Sequence, residues 1–289
     1  MIPRTCGTFL WEAEHVGVAR VAAEKRLDIY WNAPMREDDV QGQIEIINRA
    51  MSRGAKGLIL APIEARPLVA SVHRIVQKGT PVVVIGTDLG IETGERLAYV
   101  LSDDDQAGRL AAKHLGRLLQ GKGDIAILGI NRSLTGMAAR AASFDATLAN
   151  EFPNIHVIHR SLAMLNVSQE QQIAEKLLTE DAQIDAIVAL NESSTRGAYY
   201  ALSEAGKVGA IHIIGFDQDM LAQLRNGGID ALVVQDTNRM GREAMMLMDE
   251  ELRGKASRSY VLVPPYLATR ATMDTDDMRR MVDLDWFIR

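Results

Sequence analysis

The sequence predicts an α/β fold with two similar doubly wound parallel-sheet lobes and a ligand cleft between them. Short runs of Val, Ile and Leu recur with almost no polar alternation, which is typical of strands covered by helices on both faces. Segments of helical length separate these runs, and this order favours parallel strands joined by right-handed crossovers. The alternation occurs twice, and no low-complexity linker divides the two series.

The first series runs from the N-terminus to Leu101. Its helices are predicted from apolar residues that recur at spacings of three and four, such as Val16, Ala19 and Ala23. The predicted strands cover residues 5–10, 28–31, 56–62, 81–85 and 97–101, and the predicted helices cover residues 12–27, 40–51 and 65–78.

The second series begins with Ser102-Asp103-Asp104, whose side-chain oxygens can cap the next helix. Further helices are predicted over residues 134–150, 168–178, 192–205 and 239–252, with a short one from about Asp219. The predicted strands cover residues 124–129, 156–160, 184–191, 210–217, 229–236 and 260–263. Pro264-Pro265 should stop the last strand, and the tail from Thr269 is polar until the closing Trp286-Phe287-Ile288.

This order of elements predicts how the chain divides between the lobes. The last helix and strand are expected to return to the first lobe. We therefore predict a first lobe of residues 1–102 plus 237–264 and a second lobe of residues 103–236 plus 265–289.

Composition narrows the class of protein. At 289 residues the chain is long enough for two domains, and its net charge of −6 argues against an intrinsic nucleic-acid surface. Cys6 is the single cysteine, so there is no intrachain disulfide, and no apolar run reaches the roughly 18 residues of a membrane helix. Residues 2–10 look like a strand rather than a signal peptide, so we expect a cytoplasmic protein or one whose leader has been removed. No helix-turn-helix pattern occurs at the N-terminus.

The usual catalytic and cofactor motifs are absent from the sequence. It contains no G-x-x-x-x-G-K-[ST], no G-x-G-x-x-G after a strand, no G-x-S-x-G and no H-E-x-x-H. The six histidines show no metal-ligand spacing. We therefore expect no cofactor, no metal site and no enzyme activity, and the pattern favours binding without turnover.

Polar residues at strand ends are the candidate site. Asn191, Asp217 and Gln235 each close an apolar run, and ligands of parallel α/β sheets bind outside the carboxyl ends of the strands. Arg140 lies in a helix of otherwise small residues. Two amides, a carboxylate and a guanidinium offer paired donors and acceptors for vicinal hydroxyl groups. Helix capping by Asn191 or Asp217, and a solvent-directed Arg140, are the simpler alternatives.

Three further residues complete the candidate site. Asp88 follows the strand over residues 81–85 and could add a carboxylate, or it could be an ordinary turn residue. Phe9 and Trp11 follow the first predicted strand. They could form an apolar platform for the C–H face of a sugar ring, or they could belong to the core.

Short segments along nearly the whole chain match the ordered pattern of one protein family. They are residues 54–59, residues 81–85, Ser102-Asp103-Asp104 with Gly108, Arg140 followed by Phe144, Asn191, Gly215-Phe216-Asp217, and Gln235. This ordered set resembles the type I periplasmic binding proteins of the ribose-binding class, which are related to the ligand domains of lac-repressor-type regulators.

The resemblance implies a function. Arg140, Asn191, Asp217 and Gln235 would bind sugar hydroxyls, and the lobes would close on the ligand about a hinge near Ser102, Asp236 and Pro264. The protein would be an extracytoplasmic or periplasmic monomer that delivers a monosaccharide or similar polyhydroxylated molecule to the membrane permease of an ABC transporter.

Two alternatives remain open at this point. The chain could be the ligand-sensing effector domain of a cytoplasmic regulator of the lac-repressor type without its DNA-binding segment. An enzyme on a doubly wound fold is the other alternative, because fold alone does not fix function.

Overall fold

The computed structural model describes residues 1–180, 183–255 and 258–282. Its helices are α1 (Phe9–Lys25), α2 (Val40–Ser52), α3 (Ala65–Gln77), α4 (Asp104–Leu118), α5 (Thr135–Glu151), α6 (Val167–Glu180), α7 (Glu192–Glu204), α8 (Leu221–Asn226), α9 (Thr237–Leu252) and α10 (Asp276–Val282). Its strands are β1 (Leu58–Leu60), β2 (Val82–Ile85), β3 (Leu97–Ser102), β4 (Lys122–Ile130), β5 (Asn154–Leu162), β6 (Ala186–Ala189), β7 (His212–Phe216), β8 (Ala231–Val234), β9 (Tyr260–Val263) and β10 (Tyr266–Ala268).

The strands form two sheets, as the alternating pattern predicts. The first sheet has the order β1-β2-β3-β9 and is parallel throughout. The second has the order β10-β8-β7-β6-β4-β5, in which only β10 runs antiparallel to its neighbour. The α/β fold with parallel sheets is therefore confirmed.

Helices cover both faces of each sheet. In the first sheet, alternate residues such as Val83 and Val84 point to opposite faces, one packed against α1 and α9 and the other against α2 and α3. The second sheet packs α4 and α5 on one face and α6, α7, α8 and α10 on the other. This double burial explains why the strands are apolar without alternation.

The chain passes between the two sheets three times. The connections follow Ser102 at the end of β3, Val234 at the end of β8 and Val263 at the end of β9. The lobe boundaries 1–102 plus 237–264 and 103–236 plus 265–289 stay a prediction. No helix in the described part of the chain is long and apolar enough to cross a membrane.

The predicted first strand over residues 5–10 is wrong. Gly7 has φ of +81°, and α1 begins already at Phe9 with Thr8 as its N-cap residue. Met1 and Ile2 instead lie in extended backbone, where the N–H of Ile2 donates to the Ile59 carbonyl at 2.9 Å. The left-handed backbone at Gly7 ends any strand, so the aromatic residues that follow lie on a helix.

Two other regions differ from the prediction, and a third lies outside the described residues. Residues 28–31 form no strand, although the Tyr30 carbonyl accepts a 2.7 Å hydrogen bond from the Met1 amino group. The tail after Pro264-Pro265 contains β10 and α10, which its polar composition did not predict. The apolar residues 286–288 lie outside the described part of the chain.

Glycines allow the helices of each lobe to pack closely. A Cβ on Gly17 of α1 would meet the backbone carbonyl of Asn238 in α9, and a Cβ on Gly241 of α9 would meet that of Glu14. In the second lobe, a Cβ on Gly108 of α4 would meet the Arg140 carbonyl in α5. Helix α1 carries one wall of the cleft and α5 carries Arg140, so these contacts also position the site.

We expect Gly17→Ala to destabilise the protein by about 1–3 kcal/mol, because the added methyl group overpacks the contact between α1 and α9. This is a net loss, because the cost of overpacking exceeds the gain of about 1 kcal/mol in helix propensity that alanine brings. Urea unfolding measures the difference. Glu24→Ala, at an exposed position of the same helix, is the control and should change stability by less than about 0.5 kcal/mol. Equal or higher stability of Gly17→Ala would contradict the close packing.

Candidate functional site

The carboxyl ends of both sheets face a common cleft. Its cavity, which we call the cleft cavity, has a volume of about 60 Å³ and is lined by residues of both sheets and of α1. Ligand sites typically measure roughly 300–1,000 Å³. Side chains therefore fill most of the cleft in this conformation, and a polyol could enter only if the walls moved apart.

Five of the seven candidate residues line the cleft cavity: Arg140, Asn191, Asp217, Gln235 and Trp11. The first four come from the second sheet and α5, as expected for residues at strand ends and on a neighbouring helix. Trp11 comes from the first turn of α1 and faces them from the opposite wall. The structure therefore brings together the predicted donors and acceptors, and it places Asp88 and Phe9 outside the lining.

Arg140 is buried at the base of the cleft. Its Nε and one terminal nitrogen donate to Asp104 Oδ1 at 2.8 and 2.5 Å, and the other terminal nitrogen donates to the Leu190 carbonyl at 2.6 Å. Its guanidinium also lies 4.2 Å from the centre of the Phe216 ring. A guanidinium carries five N–H donors, so two remain for a ligand.

Asn191 has a structural task as well as a place in the cleft. Its Oδ1 caps α7 by accepting from Ser194 N at 2.8 Å, and its Nδ2 donates to the Gly129 carbonyl at 3.1 Å. Gly129 has φ of +79°, and a Cβ there would collide with the Asn191 amide. Asn191 therefore caps the helix, as the simpler alternative predicts, and it also lines the cleft. Only the second N–H of Nδ2 and the second lone pair of Oδ1 remain for a ligand.

Asp217 and Gln235 act as a pair at the ends of β7 and β8. The Gln235 amide donates to Asp217 Oδ1 at 2.7 Å. Asp217 has φ of +67°, a left-handed backbone that is uncommon outside glycine and that aspartate tolerates better than most residues. The turn places a buried carboxylate in the cleft lining, where it can accept from a ligand hydroxyl.

The aromatic residues and Asp88 occupy different positions from those predicted. Trp11 is buried and its indole N–H donates to Glu37 Oε1 at 2.8 Å. The backbone N–H of Phe9 donates to Asp219 Oδ1 at 3.3 Å. The Asp88 side chain accepts from Gly90 N, and its carbonyl accepts from Thr135 Oγ1 at 3.3 Å. Phe9 and Asp88 thus take part in contacts across the cleft mouth, between elements of the two sheets.

Several lining residues were not predicted from the sequence. They are Arg4, Glu14, Glu37 and Glu192, together with Asp104, which the sequence placed only in a capping cluster. Arg4 donates through Nε to the Pro62 carbonyl at 3.0 Å and through a terminal nitrogen to Thr87 Oγ1. The only sequence signal was the position of Arg4 directly after the short apolar start of the chain.

Burial changes the protonation of three lining carboxyls. Desolvation raises the pKa of Glu14 to about 8, against the opposing charge of Arg4. It raises the pKa of Glu192 to about 7, although Arg196 donates to that carboxyl. It raises the pKa of Asp217 to about 6, against Arg140 and Gln235. Ionising each of these carboxyls therefore costs more free energy in the folded protein than in the unfolded chain.

A larger cavity, of about 660 Å³, lies elsewhere in the molecule. It adjoins Met1, Ile2 and the amino end of β1, and its walls include Leu27 and Met248. Polar side chains do not converge there as they do at the carboxyl ends of the strands, so we assign the ligand site to the smaller cavity. In the described residues, no three His, Cys, Asp or Glu side chains are grouped to hold a metal ion.

We expect the stability of the free protein to fall as the pH rises from about 4 to 8. At Glu14, Glu192 and Asp217 the folded state retains protons that the unfolded chain has already released, so rising pH favours unfolding. Glu14→Gln removes one of these groups and should make the fall shallower by up to ~1.4 kcal/mol per pH unit. Urea unfolding at several pH values measures the slope.

Glu64→Gln, at an exposed position of the same lobe, is the control and should keep the wild-type slope. An unchanged slope in Glu14→Gln would show that the Glu14 carboxyl is not desolvated.

Comparison with known proteins places the chain in a family. Residues 1–256 match the family model described as periplasmic binding protein domain. A xylitol-binding protein of Mycolicibacterium smegmatis is 26% identical over 276 residues, which cover 94% of this chain and 76% of the relative. A putative rhizopine-binding protein of Rhizobium meliloti is 25% identical over 245 residues, which cover 82% of this chain and 78% of the relative.

The fold matches solved structures over its whole length. A carbohydrate transporter solute-binding protein of Agrobacterium radiobacter, solved with D-arabinose, superposes with a TM-score of 0.89 at 23% identity, covering 98% of this chain and 97% of that one. Because the family model covers most of the chain, this protein belongs to the periplasmic binding protein domain family.

Proposed function

We propose that this protein captures a monosaccharide or similar polyhydroxylated molecule in the cleft between its two lobes, as the solute-binding component of an ABC-type importer. One observation carries the proposal. Arg140, Asp217 and Gln235 converge in one buried cavity at the carboxyl ends of the second sheet, opposite Trp11 on α1. Such a set can bind vicinal hydroxyls with its polar groups and the C–H face of a sugar ring with its indole.

Binding without turnover fits the same geometry. The cleft cavity contains carboxylates, arginines and amides, and its one lining serine, Ser193, has no histidine or lysine beside it in the lining. The relatives reported above are binding proteins. No observation favours the effector domain of a regulator.

Capture requires the cleft to open and close. The hydrogen bonds from Phe9 to Asp219 and from Thr135 to Asp88 join elements of the two sheets across the cleft mouth. We infer that they form on closure, about a hinge at the three connections between the sheets. A membrane permease would recognise the surface that forms when the lobes close, and the protein would act as an extracytoplasmic monomer.

A thermal-shift screen against monosaccharides, disaccharides, polyols and nucleosides tests the proposal. A ligand at 100 times its dissociation constant should stabilise the protein by ~2.7 kcal/mol, which raises the melting temperature by several degrees. If no sugar or polyol raised the melting temperature but a ligand of another class did, the proposed ligand class would be contradicted.

We expect Asp217→Asn to weaken binding of the ligand found in the screen by roughly 10- to 100-fold, the value of one hydrogen bond to a charged group. The free protein should not lose stability, because the substitution removes a desolvated carboxylate. Isothermal titration calorimetry measures the affinity. Asp145→Asn is the matched control, since Asp145 is partly exposed on α5, outside the cleft lining, and pairs with Arg160. Equal affinities of Asp217→Asn and wild type would remove Asp217 from the site.

A further inference from the structure

The charges that line the cleft cavity are unbalanced. Five carboxyl side chains line it, against two guanidinium groups, Arg4 and Arg140. The carboxyl side chains are Glu14, Glu37, Asp104, Glu192 and Asp217. Neutral hydroxyl groups alone would bring no cation to these carboxyls, and burial opposes the ionisation of those that are unpaired.

Some of these charges are already paired. Asp104 forms a buried ion pair with Arg140, and Glu192 accepts from Arg196 at 2.9 Å. Glu37 accepts from the Trp11 indole. Arg4 directs its two hydrogen bonds to the neutral oxygens of Pro62 and Thr87, so its charge does not pair directly with a carboxylate. Glu14 and Asp217 are left as buried carboxyls without a cation bonded to them among the described residues.

Glu14 has an open acceptor inside the cavity. Its side chain is 1% exposed, and its Oε1 has no hydrogen-bond partner among the described residues. Thr237 from α9 also lines the cavity, and its buried hydroxyl is likewise unpartnered. Both residues line the cavity, so a donor on the ligand could meet these two oxygens.

Arg4 is the charged group that acts most directly on Glu14. Helix α9, which packs against α1, contributes Thr237 and Met240 to the cavity, and neither side chain titrates. The other charged groups that line the cavity are Glu37 before α2, Asp104 on α4, Arg140 on α5, Glu192 at the start of α7 and Asp217 after β7.

We propose, on the basis of the function proposed above, that the preferred ligand is a polyhydroxylated molecule with a protonated amine, such as an amino sugar or an aminocyclitol, whose ammonium group lies against Glu14. An ammonium group has three N–H donors and no acceptor, which suits a carboxylate that has an open lone pair. Its charge compensates the Glu14 carboxylate that forms on binding, and the hydroxyls bind to Arg140, Asp217 and Gln235. Sugar acids and sugar phosphates are disfavoured, because they add negative charge.

The ammonium group also explains how a buried Glu14 can be tolerated. Burial raises the pKa of Glu14 to about 8, so its carboxyl is largely protonated at pH 7 in the free protein. A neighbouring cation favours the charged form and lowers that pKa. Binding of an amine at pH 7 should therefore release a proton from the protein, whereas binding of a neutral polyol at the same place should not.

Matched ligand series test the proposal by calorimetry at pH 7. The series are D-glucose, D-glucosamine and D-glucuronate, the corresponding galactose set, and myo-inositol with an aminodeoxyinositol. In at least one series the amine should bind about 10- to 100-fold more tightly than its neutral parent, as expected for a charge-assisted hydrogen bond, and the acid should bind more weakly than the parent. The inositol pair separates an aminocyclitol from an amino sugar.

Glu14→Gln should lower the ratio of amine to neutral affinity by at least about tenfold. Glu64→Gln is the control and should keep the ratio. Calorimetry of the wild-type protein in two buffers of different ionisation enthalpy should show release of up to about one proton with the amine. This second measurement stands even if Glu14→Gln does not fold.

The outcomes separate this inference from the function it rests on. Binding of neutral polyols with equal or weaker binding of every amine would overturn the inference and leave the proposed function standing. Tight amine binding without proton release and with an unchanged ratio in Glu14→Gln would overturn the role of Glu14. If no neutral or amino ligand bound at all, both the inference and the proposed function would be overturned.

Discussion

The buried ion pair between Arg140 and Asp104 is the constraint on which the cleft depends. Bringing two charges out of water costs several kcal/mol per ion, so each needs the other and further hydrogen bonds. Arg140 meets this need from α5 by contacting the ends of three other elements: Asp104 at the start of α4, Leu190 after β6 and Phe216 at the end of β7. Gly108 permits the close packing of α4 on α5 that brings the pair within reach.

The same pair sets the electrostatics of the neighbouring site. The positive charge of Arg140 lowers the pKa of Asp217 and so partly offsets the rise that desolvation causes. Asp104 neutralises much of Arg140, so the cation holds the site together but does not cancel the other carboxylates. The cleft therefore keeps buried carboxyls whose ionisation burial opposes, as is common where stability and function compete.

The sequence predicted the fold, and it predicted the convergence of the second-sheet candidate residues, for one physical reason. Apolar parallel strands have a visible pattern, and the first polar residue after each, such as Asp217 or Gln235, lies at the ligand edge. Glu14 carries no such signal, because a Glu within a predicted helix looks like a solvent-exposed residue. The strand predicted over residues 5–10 was wrong because apolar content alone cannot show the turn at Gly7. Strand β10 was missed because two prolines precede it, although an edge strand can follow such a break.

The two candidate residues outside the cleft cavity show what a sequence cannot separate. Asp88 and Phe9 lie close to the cleft, yet they contribute backbone atoms to contacts with Thr135 and Asp219. A residue that binds a ligand and a residue that closes over it occupy the same region of a two-lobed protein, and their side-chain types do not distinguish them. Only the structure distinguishes them, because the distance from each residue to the opposite wall of the cleft decides whether it meets a ligand or the other lobe.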